Sequence, residues 1–226
     1  MARGKLIADA YKNIDVEKHY AIKDAVEVLI KNKRKNFDET IEISMNLGID
    51  PRHADQMVRG SISLPNGIGK NVKVAVFAKD KQAEEALAQG ADIVGSEDLA
   101  KKIEDGDTNY DRVIASPDMM GIVGKIAKVL GPKGLMPNPK MGTVSNDISE
   151  AVKLAKSGQI HYKAEKNGIV QAGVGKLSFG ADKICQNIES FVENIKKSKP
   201  SGSKGTFIKK ISISSTMGVS LNCEVN

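Results

Sequence analysis

Hydrophobic residues in the first third of the chain change from helical spacing to strand spacing. Within Ile22–Ile30 they recur every three or four residues, which predicts an amphipathic helix. Within Phe37–Leu47 the apolar residues all fall at odd-numbered positions, and polar residues such as Glu42 alternate with them. This period of two predicts a strand with one buried and one solvated face. A second run, Arg59–Leu64, predicts a partner strand.

The middle of the chain alternates between strand and helix patterns. Predicted strands are Val72–Ala78, Ala91–Val94 and Arg112–Ala115, and predicted helices are Lys79–Gln89, Ser96–Ile103, Pro117–Leu130 and Asp147–Lys156. The first of these strands is almost continuously apolar, as a strand is when helices cover both of its faces. The alternation predicts a Rossmann-like α/β domain with a parallel sheet.

After Gln159 the chain returns to the mixed strand and helix patterns of its first third. We predict strands at Gln159–Ala164, Ile169–Val174, Phe207–Ser214 and Val219–Val225, and a helix at Asp182–Lys197. Asn167–Gly168 lies between the first two strands and is typical of a hairpin turn. We therefore expect α/β and α+β folds in two domains. A discontinuous α+β domain, residues 1–66 plus 160–226, would carry an inserted α/β domain, residues 67–159.

The charge of the chain follows the same division. Residues 67–159 hold 13 Lys/Arg and 13 Asp/Glu, so the whole net charge of +6 belongs to the outer segments. It is concentrated after Gln159, where ten lysines stand against five acidic residues. This placement favours a phosphate-backbone partner on the outer domain, although a solvated lysine surface would give the same count.

Motifs for other activities are missing from the sequence. Gly121–Lys125 has the wrong spacing for a phosphate loop, and Gly67–Lys70 precedes a strand rather than opening a helix. The three histidines have no metal-ligand spacing, and no signal-peptide or membrane-spanning run is present. We expect no catalysis, cofactor, metal or membrane binding, and a cytoplasmic location. The competing classes are a cofactor-binding enzyme and a protein-interaction module.

Three segments are candidates for a binding role. Gly131–Gly142 is a stiff loop rich in proline and glycine. It either presents Lys133 and Lys140 to RNA or a subunit, or packs on its own domain. In Ser214–Gly218 the glycine can take a turn conformation closed to other residues. The segment either offers hydroxyl and backbone groups to RNA, with Met217 on a sugar or base, or is an ordinary Ser/Thr-rich turn. Phe37 either stacks on RNA or closes the core.

At these segments the sequence resembles the ribosomal protein L1 family of large-subunit stalk proteins, bacterial type. The resemblance rests on Phe37–Thr40, Asn46–Pro51, Val58–Gly60, Leu64–Pro65, Gly131–Lys140, Gly142–Val144, Lys166–Gly168, Gly175–Lys176, Lys204–Gly205 and Ser215–Gly218. It runs the length of the chain, and the proline-rich loop is its most specific part.

The resemblance implies a two-domain structural protein that binds large-subunit (23S-type) rRNA at the mobile stalk. It further implies contact with deacylated tRNA leaving the exit site, and repression of translation through the chain's own operon mRNA. Residues expected to bind RNA are Glu27, Phe37, Thr40, Thr216, Met217 and Gly218, with Ser214 nearby and the basic Lys35 and Lys163 added from the charge pattern.

Overall fold

The computed structural model describes residues 5–12, 14–15, 17–34, 37–106 and 108–225. Its helices are α1 (Lys5–Lys12), α2 (Ile22–Lys31), α3 (Asp80–Ala88), α4 (Glu97–Glu104), α5 (Met120–Lys125), α6 (Ala127–Leu130), α7 (Ile148–Lys156) and α8 (Ala181–Lys197). Its strands are β1 (His19–Tyr20), β2 (Thr40–Leu47), β3 (Arg59–Ser63), β4 (Val74–Phe77), β5 (Ile93–Gly95), β6 (Arg112–Ala115), β7 (Gln159–Lys163), β8 (Ile169–Lys176), β9 (Ile208–Ser215) and β10 (Ser220–Cys223). Mixed helix and strand content confirms the predicted class.

Contacts between Cα atoms divide the chain into two compact units. The outer unit comprises Met1–Gly69 and Ile160–Asn226, and the middle unit comprises Lys70–Gln159. The outer unit contains a five-stranded sheet in the order β1-β10-β9-β2-β8 and the separate pair β3-β7. Strand β1 runs parallel to β10, and β2 runs antiparallel to both of its neighbours.

The core of the outer unit lies on one face of the five-stranded sheet. Ile41, Ile43, Met45 and Leu47 of β2 are buried, and helices α2 and α8 pack against the same sheet. Helix α8 contributes the apolar stripe that its sequence predicts, because residues three and four apart share a face. The opposite face carries polar residues, such as Glu42, and is open to solvent.

The middle unit is built around β4, which pairs in parallel with both β5 and β6. Side chains of β4 are buried on both faces, because Ala75 and Phe77 enter one apolar cluster and Val74 and Val76 enter another. Helices α4, α5 and α6 supply the first cluster, and α3 and α7 supply the second. The near-continuous apolar run therefore has the cause that the sequence predicts, a strand covered on two sides.

The predicted single helix over Pro117–Leu130 is wrong. The chain forms a 3₁₀ turn at Pro117–Met119, then α5, then α6, with a break at Ile126, whose φ and ψ are −92° and 7°. Gly121 and Gly124 make this stretch a weak helix former, because glycine gains the most backbone entropy when a helix opens.

The predicted hairpin between β7 and β8 is also wrong as a strand pairing. The tight turn exists, since the Gly168 amide donates to the Glu165 carbonyl (2.9 Å) and φ of Gly168 is +73°. The two strands nevertheless join different sheets, because β7 pairs with β3 and β8 pairs with β2. A turn motif fixes the reversal of the chain but leaves the partner of each strand to longer-range packing.

Candidate nucleic-acid interface

Two segments far apart in sequence meet where β2 begins and β9 ends. The antiparallel register pairs Ile41 with Ser215. Just beyond this pair, the Thr40 amide donates to Thr216 Oγ1 (3.0 Å), and the Thr216 amide donates to the Thr40 carbonyl (3.0 Å). The Thr216 hydroxyl also donates to the Thr40 carbonyl (3.2 Å). These reciprocal bonds place both predicted threonines in one rigid structure at the end of the sheet where β2 begins and β9 ends.

Lys176 belongs to this structure, although sequence reasoning did not select it. Its Nζ donates to Thr40 Oγ1 (2.9 Å) and to the Asp38 carbonyl (3.2 Å), and lies 5.9 Å from the centroid of the Phe37 ring. The predicted strand ended at Val174, whereas β8 continues to Lys176 and aligns it with Thr40. The signal was present in the family motif Gly175–Lys176, but only the strand register reveals its neighbour.

Two apolar side chains are exposed beside these hydrogen bonds. Phe37 is 51% exposed and Met217 is 47% exposed, and neither belongs to the core of the outer unit. Because half of its side chain is exposed, Phe37, which precedes β2, does not close the core. We call Phe37, Thr40, Lys176, Thr216 and Met217 the rim cluster.

A buried carboxylate, Glu39, lies beneath the rim cluster and was also missed from the sequence. It is 1% exposed and accepts hydrogen bonds from the Ser215 hydroxyl (2.6 Å), the Met217 amide (3.2 Å) and the Arg34 amide (3.3 Å). Its own carbonyl accepts from the Leu177 amide (2.9 Å). Position 39 has the odd parity of the buried residues of β2, but its acidic side chain gave no reason to expect burial.

The turn after β9 uses its backbone donors internally. The amides of Thr216, Met217 and Gly218 donate to Thr40, Glu39 and Ser215, respectively. Among the described residues, no donor reaches the carbonyl oxygens of Thr216 and Met217. The surface of the turn therefore offers hydrogen-bond acceptors and the Met217 thioether chain rather than a nest of amide donors.

The expected reason for a glycine at position 218 is wrong. Its φ is not in the left-handed region, so backbone conformation does not demand glycine. Instead, a Cβ at this position would lie 2.2 Å from Ser215 Oγ. Gly218 is required for space, because the turn folds back against the hydroxyl that Glu39 holds.

Ser214 and Glu27 lie outside the rim cluster. Ser214 is on β9, in register with Glu42 and Ser220, so it adjoins the cluster. Glu27 is an exposed residue of α2, and no hydrogen bond or ion pair within the described chain joins it to the cluster. It faces Cys185 of α8, whose thiol pKa is raised by burial and then by nearby acidic groups including Glu27.

Lys163 lies in the separate β3-β7 pair, beside a turn at the opposite end of β2 from Thr40. It ends β7 and borders a cleft of about 1070 Å³. The cleft is lined by Pro51, Arg52, Met57, Lys163, Ala164, Glu165, Lys166 and Asn167. The Leu47 amide donates to the Gly168 carbonyl, so the adjoining turn sits at the far end of β2 from Thr40. A strand of that length spans roughly 23 Å, so this turn, whose Lys166 and Asn167 share the cleft with Lys163, lies about that far from Thr40.

The remaining predicted residues are elsewhere. Lys35 lies outside the described residues. Lys133 and Lys140 are exposed on the proline-rich loop of the middle unit, where Lys133 Nζ donates to Thr108 Oγ1. Leu135 and Met136 pack against the core of that unit. The loop is thus anchored on its own unit, with its two lysines facing solvent.

The cysteines are positioned as packing residues rather than reactive thiols. Cys223 is buried, and burial raises the pKa of its thiol to about 12. In the described part of the chain, no three His, Cys, Asp or Glu side chains form a group able to hold a metal ion. No helix in the same residues has the length and apolar character needed to cross a membrane.

A lysine-rich unit with an exposed rim of acceptors and apolar groups is characteristic of an RNA-binding protein. The sequence matches the model of the Ribosomal protein L1p/L10e family over residues 29–219 of its 226 residues, and the chain belongs to that family. It is therefore a constituent of the large ribosomal subunit that binds rRNA, and its place is the cytoplasmic ribosome. The family consists of structural RNA-binding proteins, so the competing enzyme hypothesis is wrong.

Proposed function

We propose that the outer unit recognises rRNA of the large-subunit stalk through the rim cluster, and that the chain also contacts exit-site tRNA and represses translation of its own operon mRNA. The observation that carries the first part is the rim cluster itself. It combines rigid hydroxyl and carbonyl acceptors with two exposed apolar side chains where β2 begins and β9 ends.

The chemistry of the turn favours the sugar as the group recognised there. Phosphate oxygens accept hydrogen bonds, and the amides of Thr216, Met217 and Gly218 are already used within the protein. A ribose 2′-OH can donate to the carbonyl oxygens that remain. RNA is distinguished from DNA by this group, so an acceptor-rich turn suits RNA in particular. Met217 and Phe37 would then pack on sugar or base faces.

Attraction to phosphate comes from lysines around and beyond the rim. Lys176 lies within the cluster, and Lys163 with Lys166 borders the cleft beside the turn at the far end of β2. A protein surface that spans roughly 23 Å along β2 would meet several phosphates of one RNA helix. We propose that the rim cluster recognises the shape of the RNA. Lys163 and Lys166 at the cleft would supply affinity that depends on salt concentration.

The two units are proposed to be separate domains. In this view the outer unit holds the RNA, and the middle unit, whose charges balance, is carried into contact with other parts of the ribosome or with tRNA. Lys133 and Lys140 on the anchored loop are the proposed contacts of the middle unit. Binding of the operon mRNA would use the same rim cluster, since one rigid surface fits RNAs of the same shape.

Salt dependence of binding to a stalk rRNA fragment tests the proposal. Over roughly 50 to 200 mM salt, log affinity should fall linearly with log salt, and Lys163→Ala should flatten the slope by about 0.7–0.9.

Met217→Ala should weaken binding by roughly 1–3 kcal/mol, by analogy with base stacking, and leave the slope unchanged. Lys153→Ala, an exposed lysine of the middle unit, is the control and should change neither quantity. Affinity that is indifferent to salt would refute the electrostatic part.

A further inference from the structure

Electrostatics alone gives no reason for a buried carboxylate, Glu39, beneath the rim cluster. A carboxylate close to an RNA-binding surface repels phosphate, and removing it from water costs free energy unless it is well hydrogen-bonded. Glu39 is nevertheless the most deeply buried acidic residue described in the outer unit. Its position therefore calls for a geometric reason strong enough to offset both penalties.

The donors that converge on Glu39 come from both segments that build the rim cluster. One carboxylate oxygen, Oε2, accepts from the Ser215 hydroxyl and the Met217 amide, while Oε1 accepts from the Arg34 amide. Arg34 precedes β2, whereas Ser215 ends β9 and Met217 lies on the turn that follows it. One side chain thus joins the two halves of the surface, which are 176 residues apart at Ser215.

We propose that Glu39 is a positioning residue for RNA recognition. It fixes the turn through the Met217 amide and the Ser215 hydroxyl, so that the Met217 side chain and the adjoining carbonyl oxygens face the RNA before it arrives. A preformed surface avoids the cost of ordering the turn on binding. The inference rests on the proposed function, because it assumes that Met217 meets RNA.

Charge and geometry predict opposite signs for removal of this carboxylate. If only charge mattered, losing a negative group near the interface would strengthen binding to RNA. A positioning role predicts that Glu39→Ala weakens binding by at least about tenfold, which corresponds to about 1.4 kcal/mol. Glu193→Ala removes the same charge from an exposed site on α8 and serves as the matched control. Its affinity should equal or slightly exceed that of the unaltered chain.

A double-mutant cycle separates positioning from a general loss of stability. The full chain is titrated with a stalk rRNA fragment, and affinities are corrected for the folded fraction. Glu39→Ala should cost clearly less in a Met217→Ala background, because the side chain that it positions is already absent. In a Lys163→Ala background its cost should be undiminished, since Lys163 lies in the separate β3-β7 pair and lines a different site, the cleft. An equal cost in both backgrounds would overturn the inference.

Amide hydrogen exchange in the protein without RNA gives a readout independent of binding. Exchange at the Met217 amide should accelerate in Glu39→Ala and not in Glu193→Ala, and an unchanged rate would refute the positioning role. If Glu39→Ala does not fold, Glu39→Gln carries the test, because an amide keeps one acceptor and should give a smaller change in the same direction. Failure of the proposed function is distinct: Met217→Ala and Lys163→Ala would then both bind RNA normally, whatever the Met217 exchange rate.

Discussion

At the scale of single residues, the tightest constraint on the proposed interface is the space at Gly218. A Cβ there would lie 2.2 Å from Ser215 Oγ, a hydroxyl already held by Glu39 at 2.6 Å. The hydroxyl cannot move aside without losing that bond. Either the turn or the Glu39 network must therefore shift when position 218 acquires a side chain.

Gly218→Ala should consequently weaken RNA binding, by a free energy of about 1–3 kcal/mol if the overpacking cost falls on the bound geometry. Affinity for the stalk RNA and urea unfolding of the protein without RNA would measure the two parts of the cost. Gly121→Ala is the matched control, because its Cβ meets nothing within 4 Å and it lies in α5. Wild-type affinity in Gly218→Ala would show that the turn is not part of the interface.

The residues that sequence reasoning selected and missed differ in what their roles depend on. Thr40, Thr216 and Met217 stand in distinctive motifs, and the structure brings them together. Glu39 and Lys176 could not be selected, because their roles arise from burial and strand register. An acidic residue in an alternating pattern is normally assigned to solvent, and only the fold shows three donors converging on it.

At the scale of elements, α8 is fixed to the sheet by a buried amide as well as by its apolar stripe. Asn187 is fully buried and donates to the carbonyls of Gly67 (3.0 Å) and Val174 (2.8 Å). Its Oδ1 accepts from the Asn66 amide (3.1 Å). One side chain therefore joins the helix to β8 and to the turn that follows β3.

Asn187→Ala should destabilise the outer unit by about 2–4 kcal/mol, because each buried group left without its partner costs about 1–3 kcal/mol. Urea unfolding followed by a signal from α8 would measure the loss. Gln186→Ala is the control: it is the neighbouring residue, it also bonds Asn66, and it is exposed. A loss of similar size in both variants would mean that Asn187 acts only as a surface amide.

Periodicity predicted the elements better than their partners. Helices α2, α7 and α8 and strands β4 and β6 fall within two residues of the predicted segments, since a single buried face controls each pattern. The pairing of β7 with β3 depends on long-range contacts, which no local pattern contains. The break at Ile126 depends on several weak helix propensities acting together, which hydrophobic spacing does not reveal. Element type is a local property, whereas sheet order is set by the whole core.

At the scale of the whole molecule, the two units differ in net charge and in the hydrogen bonding of their cations. The middle unit carries 13 Lys/Arg and 13 Asp/Glu, so it should neither attract nor repel RNA strongly at long range. Its own cations are partly engaged, as Lys70 pairs with Asp111 and Lys156 with Asp92. The outer unit holds the net charge of +6 and every residue of the rim cluster.

A chain in which a short Gly/Ser linker replaces residues 70–159 should therefore keep most of the affinity for the stalk RNA, within about threefold, since only a neutral unit is lost. Residues 70–159 alone should show no measurable binding at the same salt concentration. Circular dichroism and hydrogen exchange would first establish that the shortened chain folds. With that secured, a folded outer unit that ignores the RNA would place recognition across both units and contradict the assignment to the rim cluster. Retained affinity together with an unchanged salt slope would locate shape recognition and phosphate attraction in the outer unit, because the slope counts the phosphates that its lysines neutralise.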